Sequence, residues 1–124
     1  SKQLLSKASN FSLNSNKKQT ARFETVINFI IENINQRLTV TELSEKCNMV
    51  PQSFCRWFKQ HTGHSFITFL NKTRVQQACQ LILNSDQSMQ SIAYQVGYEN
   101  ISHFNRTFKK FMEQSPTQFK KRVG

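Results

Sequence analysis

Proline and glycine are scarce. Two Pro and three Gly in 124 residues are too few for the turns of a β-sandwich, and apolar residues recur at periods near 3.6, so the expected class is all-α. Acidic residues are few as well: 7 Asp and Glu stand against 17 Lys and Arg, giving a formal charge of +10 and a pI near 10.0. Polyanions are therefore the expected partners. Charge alone does not choose among DNA, RNA and an anionic membrane. No stretch has the unbroken apolar length of a membrane span and no signal peptide is recognisable, so a soluble, cytoplasmic protein is expected.

Cys47, Cys55 and Cys79 are odd in number and lack CxxC spacing, which argues against a disulfide framework and fits a reducing compartment. Zinc on Cys55, His61 and His64 would match no common ligand spacing and would lack a fourth ligand, so no metal or cofactor is expected. Paired carboxylates, a Ser-His-Asp set with a plausible scaffold and a phosphate-binding Gly loop are also missing, which argues against an enzyme.

The length suits one domain or two very small lobes, with a modest core. Residues Ser1 to Thr20 carry Lys2, Lys7, Lys17 and Lys18, no acid, and many Ser and Asn, the composition of a linker. Leu4, Leu5, Phe11 and Leu13 hint at something packed against it. The chain begins without Met, and the expectation is a fragment whose sensing or dimerising domain lies upstream, followed by a globular part over residues 21–124.

Phe23, Val26, Ile27, Ile30, Ile31 and Ile34 form an apolar stripe that predicts a helix from Arg22 to Ile34. Thr39-Val40-Thr41-Glu42 reads as a capping box, with Leu38 and Leu43 as a hydrophobic staple, so a second helix starts at about Val40 and stops near Cys47 before the turn at Asn48. Pro51 suits the first turn of a third helix that ends by Gly63. Ser65 caps a long fourth helix from Phe66 to about Asn84, with Phe66, Phe69, Leu70, Ala78, Leu81 and Ile82 inward. Ser88 caps a fifth helix through Val96, Gly97 supplies its turn, and Asn100 caps a sixth. There Ile101, Phe104, Phe108 and Phe111 face inward. Ser115-Pro116-Thr117-Gln118 is a second capping box, opening a short helix that ends in Lys120-Lys121-Arg122.

The pattern Phe-x-Arg-x-Phe-Lys occurs as residues 54–59 and again as 104–109. Around the two copies Leu43 matches Ile92, Ser44 matches Ala93, Asn48 matches Gly97, Ser65 matches Ser115 and Phe69 matches Phe119. In each, two phenylalanines four apart face inward while Arg and Lys stay outside. Two helix pairs, each joined by a tight Asn or Gly turn, have the layout of helix-turn-helix units at about 22–64 and 86–123, joined by a linker helix at about 66–84. A basic helix presented twice points to DNA read at two places.

On these residues, and on Ser91-Ile92-Ala93-Tyr94-Gln95-Val96-Gly97-Tyr98, residues 104–111 and Ser115-Pro116-x-x-Phe119, the chain resembles the DNA-binding domain of the AraC/XylS (arabinose-regulator) family of bacterial transcription factors. Gly63, Phe66, Phe69, Arg74, Ala78 and Leu81 add landmarks, and the match runs from about Phe23 to Arg122. The resemblance implies seven helices in a tandem, homeodomain-like arrangement: two helix-turn-helix subdomains joined by a long linker helix. It implies a sequence-specific binder of double-stranded DNA and a transcriptional activator in the cytoplasm, at the nucleoid. RNA polymerase is the implied protein partner, and the full-length protein is expected to dimerise through its upstream domain while this fragment stays monomeric. Two departures stand out: Val50 replaces the family's usual capping Ser, and Glu113 its usual Gly.

Carried over position by position, the base readers are Gln52, Ser53, Cys55 and Arg56 in the first recognition helix and Ser102, His103 and Arg106 in the second. Lys59, Asn105, Lys109, Lys110, Lys120, Lys121 and Arg122 are assigned to phosphates, as are backbone amides at the helix starts Val40, Met89 and Pro116. Arg74, mid-helix among core positions, is expected to take an internal partner, and Trp57 to pack. The alternative is a basic helical module for RNA or for nucleic acid without sequence preference. RNA readers, however, expose aromatics and membrane binders expose apolar residues, whereas here the aromatic stripes face inward.

Overall fold

The computed structural model describes residues 13–123, with side chains from residue 21 onward, as seven α-helices and no strand among those residues. They are α1 (Leu13–Glu32), α2 (Val40–Lys46), α3 (Pro51–Thr62), α4 (Phe66–Asn84), α5 (Met89–Gln95), α6 (Ile101–Met112) and α7 (Pro116–Val123).

The first helix departs from expectation at both ends. It begins at Leu13, so residues 13–20, assigned to the linker on composition, are helical; residues 1–12 lie outside the described residues. The segment has no Gly or Pro to stop a helix growing back from the Phe23 stripe, because each added turn gains bonds without a new nucleus. At the other end α1 stops at Glu32, where Asn33 donates its backbone N–H and its Nδ2 to the Phe29 carbonyl (3.1 and 2.8 Å). Val26, Ile30 and Ile34 are buried, but Ile31 is 43 % exposed, off the edge of the stripe.

Caps set the other boundaries. Thr39, Ser65, Ser88 and Asn100 accept the backbone N–H of Glu42, Thr68, Ser91 and His103. Such bonds satisfy orphan amides of the first turn at about 1 kcal/mol each. Ser115 and Gln118 bond reciprocally, Gln118 N–H to Ser115 Oγ at 3.1 Å and Ser115 N–H to Gln118 Oε1 at 2.9 Å, completing the second capping box. Only the Thr39 half of the first box is made.

The internal repeat survives down to single hydrogen bonds. In the first turn Met49 N–H donates to Ser44 O, and in the second Tyr98 N–H donates to Ala93 O, both at 2.9 Å. Asn48 and Gly97 take positive φ of 55° and 104° at matching places. Past the ends of α3 and α6 Gly63 and Glu113 do the same, and each returns its N–H to a lysine carbonyl, Lys59 or Lys109, at 2.8 Å. Ser44 and Ala93 are both 1 % exposed where paired helices meet. Ser44 keeps its hydroxyl satisfied by donating to Thr41 O at 2.9 Å.

Two cores result. One holds Ile30, Leu43, Phe54, Phe58, Phe66 and Leu70 with their neighbours; the other holds Val75, Ala78, Ile92, Phe104, Phe108 and Phe119 with theirs. The four phenylalanines Phe54, Phe58, Phe104 and Phe108 are fully buried, each stabilising its lobe by roughly 1.5–3 kcal/mol. The linker helix α4 contributes its first half to one core and its second half to the other. Between those halves Arg74, buried as expected, donates Nε to Ile34 O at 3.0 Å and Nη2 to Gln36 O at 2.9 Å.

Candidate nucleic-acid interface

Helices α3 and α6 are turned by their phenylalanines. With Phe54 and Phe58 inward, Gln52, Ser53, Cys55, Arg56, Lys59 and Gln60 are left exposed on α3. With Phe104 and Phe108 inward, the residues fifty positions on are exposed on α6: Ser102, His103, Asn105, Arg106, Lys109 and Lys110. Every residue assigned to base or phosphate contact on these helices thus lies on a solvent face. That face is contiguous, because positions three and four apart neighbour each other on a helix. Lys120, Lys121 and Arg122 are exposed on α7.

The register adds one exposed residue to those read from the sequence. Gln60 extends the α3 ridge where Lys110 extends that of α6; being uncharged it gave no signal alone, although the offset of the repeat points to it. Asn105 occupies on α6 the position that Cys55 occupies on α3, and both are exposed.

The starts of the two helices differ. Val50, at the N-cap of α3, is 62 % exposed and makes no side-chain cap bond, whereas Asn100 at the same position of α6 accepts His103 N–H at 2.8 Å. His103 also meets the Tyr98 ring edge-on, with centroids 5.1 Å apart. At Val40, Met89 and Pro116 the cap side chains occupy the third amide of each helix, as the caps read from the sequence require.

Trp57 packs as expected, edge-on to Phe23 at 5.7 Å. His61 stacks on Phe23 at 4.9 Å and sits 2.9 Å from the Trp57 carbonyl, which ties the end of α3 to α1. No cluster of three His, Cys, Asp or Glu side chains that could hold a metal ion occurs among the described residues. Burial pushes the Cys47 and Cys79 thiols up, while Cys55 is exposed on the α3 ridge. Burial likewise lowers the Arg74 guanidinium from its ordinary value. Burial pushes Tyr98 up to about 12, against the opposing pull of Arg74 and of a hydrogen bond from Thr107.

Comparison with known proteins agrees with this architecture. Residues 43–122 match the model of a helix-turn-helix domain family. An uncharacterized HTH-type transcriptional regulator of Haemophilus influenzae is 36 % identical over 106 residues, 86 % of this chain and 36 % of that protein. The raffinose operon transcriptional regulatory protein of Pediococcus pentosaceus is 31 % identical over 86 % of the chain and 39 % of its own length. The chain therefore spans little more than a third of the length of these two relatives. Among solved structures, the C-terminal domain of AraT, a response regulator from Geobacillus stearothermophilus, superposes with a TM-score of 0.77 at 32 % identity, covering 82 % of this chain and 84 % of that one. The DNA-binding domain of AdpA, solved with a target DNA, shares the fold at 24 % identity with a TM-score of 0.77.

Proposed function

The chain belongs to the AraC-type helix-turn-helix family of transcriptional regulators, and from that membership we propose that it grips one face of a DNA duplex with α3 and α6 in successive major grooves. The observation that carries this reading is the doubled ridge: the same solvent face, with Arg and Lys at the same two positions, over the same fully buried phenylalanines. An α4 of 19 residues is about 28 Å long at 1.5 Å per residue, commensurate with two readers roughly 34 Å apart on successive turns of the groove.

Arg56 and Arg106 can each clasp O6 and N7 of a guanine, and Gln52 can pair with an adenine. Ser53, Cys55, Ser102, His103 and Asn105 flank them on the same faces. Lys59, Lys109, Lys110, Lys120, Lys121 and Arg122 neutralise phosphates, giving affinity without sequence preference. The whole protein is an activator in this reading, with RNA polymerase as its partner and an upstream domain for sensing or dimerisation; family membership is the support for that finer assignment. No helix among the described residues is long and apolar enough to cross a membrane.

Selecting bound duplexes from a random pool tests the proposal. Enrichment of two short blocks about one helical turn apart is expected. A single enriched block, or a pool that binds without enrichment, would refute two-groove reading.

A further inference from the structure

A buried cation lies where the two helix-turn-helix units meet. Arg74 leaves the middle of α4, between the half that serves the first core and the half that serves the second. Its guanidinium donates to the carbonyls of Ile34 and Gln36, just past the end of α1 in the first unit. The same group lies 5.5 Å from the centre of the Tyr98 ring, in the second unit. Tyr98 is anchored in turn by donating its hydroxyl to Asn71 Oδ1, on α4, at 2.9 Å.

Gly97 makes this convergence possible. A Cβ at that position would come within 2.5 Å of Ile34 O, 2.7 Å of Arg74 Nε and 2.8 Å of Arg74 Cζ. The turn of the second unit therefore rests on the guanidinium and on the backbone of the first unit. Beside this joint lies an open cleft of about 840 Å³, with Arg37 and Leu38 on one side and Glu99 and His103 on the other. The units are not packed together there, so α4 and the joint define their mutual angle.

We infer that Arg74 is a positioning residue for DNA recognition, clamping the end of α1 and the Gly97–Tyr98 turn so that α3 and α6 keep one fixed separation and angle. A guanidinium suits the task because its planar fork fixes two acceptors and an aromatic face at once. An ammonium is a single point charge without that plane. Rigidity matters because two linked modules gain affinity only when both engage without strain. The inference goes beyond two-groove binding and rests on it only where DNA is the readout.

The first test needs no DNA. In Ser102→Cys with Cys79→Ala, spin labels on Cys55 and position 102 report the distance between the two ridges by pulsed dipolar spectroscopy, with the buried Cys47 left in place. A narrow distribution is expected with Arg74 present. With Arg74→Met it should broaden or shift while amide spectra show both cores still folded. An unchanged narrow distribution in folded Arg74→Met overturns the inference. If Arg74→Met does not fold, Arg74→Lys takes its place: broadening supports the clamp, and a native-like distance assigns Arg74 to stability alone.

The second test uses the selected duplex and versions with one to three base pairs inserted between its blocks. Insertion should weaken the native chain about tenfold or more, and folded Arg74→Met by less than about threefold, with its affinity for single-block duplexes retained. Equal insertion penalties in both proteins would overturn the inference. A native chain indifferent to spacing would instead count against two-groove reading, and the spin-label result would still stand.

Discussion

Gly97→Ala and Gly63→Ala form a matched pair that isolates the energy of a close approach. Both glycines have positive φ, 104° and 78°, where an L side chain is strained, so each substitution carries about 1–2 kcal/mol of backbone cost. At Gly63 the new Cβ meets nothing within 4 Å. At Gly97 it would stand 2.5 Å from the Ile34 carbonyl and under 3 Å from the Arg74 guanidinium. Relief requires moving the end of α1 or breaking the bonds of Arg74 to Ile34 O and Gln36 O. Hydrogen bonds from a charged donor contribute about 1.5–3 kcal/mol each. Loss of one such bond, or equivalent strain, brings Gly97→Ala to about 2.5–5 kcal/mol against about 1–2 for Gly63→Ala. Urea unfolding followed by circular dichroism at 222 nm measures both. Losses equal to within about 0.5 kcal/mol would refute the reasoning, because backbone strain alone would then account for Gly97.

Val50→Asn should raise stability by about 1 kcal/mol by giving α3 the cap that Asn100 gives α6; an unchanged urea midpoint would show that the first turn of α3 does not limit stability. Tyr98 is held neutral up to about 12, whereas an unfolded tyrosine ionises near 10. Its contribution is therefore complete below pH 10 and is lost as the pH rises towards 12, on the order of 2 kcal/mol. Tyr98→Phe should flatten the stability curve across that window, and parallel curves for the two proteins would exclude the effect. Arg106→Ala should relax preference at one base pair of one block, by roughly 1–3 kcal/mol of discrimination; a uniform loss on all sequences would move Arg106 to the phosphates. Lys110→Ala should weaken binding to every duplex and reduce the slope of log K against log salt by about 0.9, and an unchanged slope would leave Lys110 a solvated charge.

Local chemistry made most of the helix map legible. Thr39, Ser65, Ser88, Asn100 and Ser115 announced helix starts because a cap side chain and its amide are three residues apart in sequence. Asn48 and Gly97 announced the turns because few residues accept a positive φ. The start of α1 was not legible, since Ser, Asn and Lys are weak evidence either way and propagation from the Phe23 stripe decides where the helix begins. The joint was only half visible. Arg74 stood among core positions, which called for an internal partner, but its acceptors are backbone carbonyls 40 and 38 residues away. A carbonyl carries no side-chain signature. The solvent faces of α3 and α6 were legible through the repeat, while exposed Gln60 was passed over because charge was the guide.

The two ridges share Arg and Lys but differ at the positions between: Gln52, Ser53 and Cys55 on one, Ser102, His103 and Asn105 on the other. A duplex held by them acquires an arrow. Under the proposed two-groove reading, turning the site end for end would swap which groove each ridge meets, so the domain would sit on its target only one way round. Anything joined ahead of α1 would then always face the same end of the gene, and inverting the site would send it to the other.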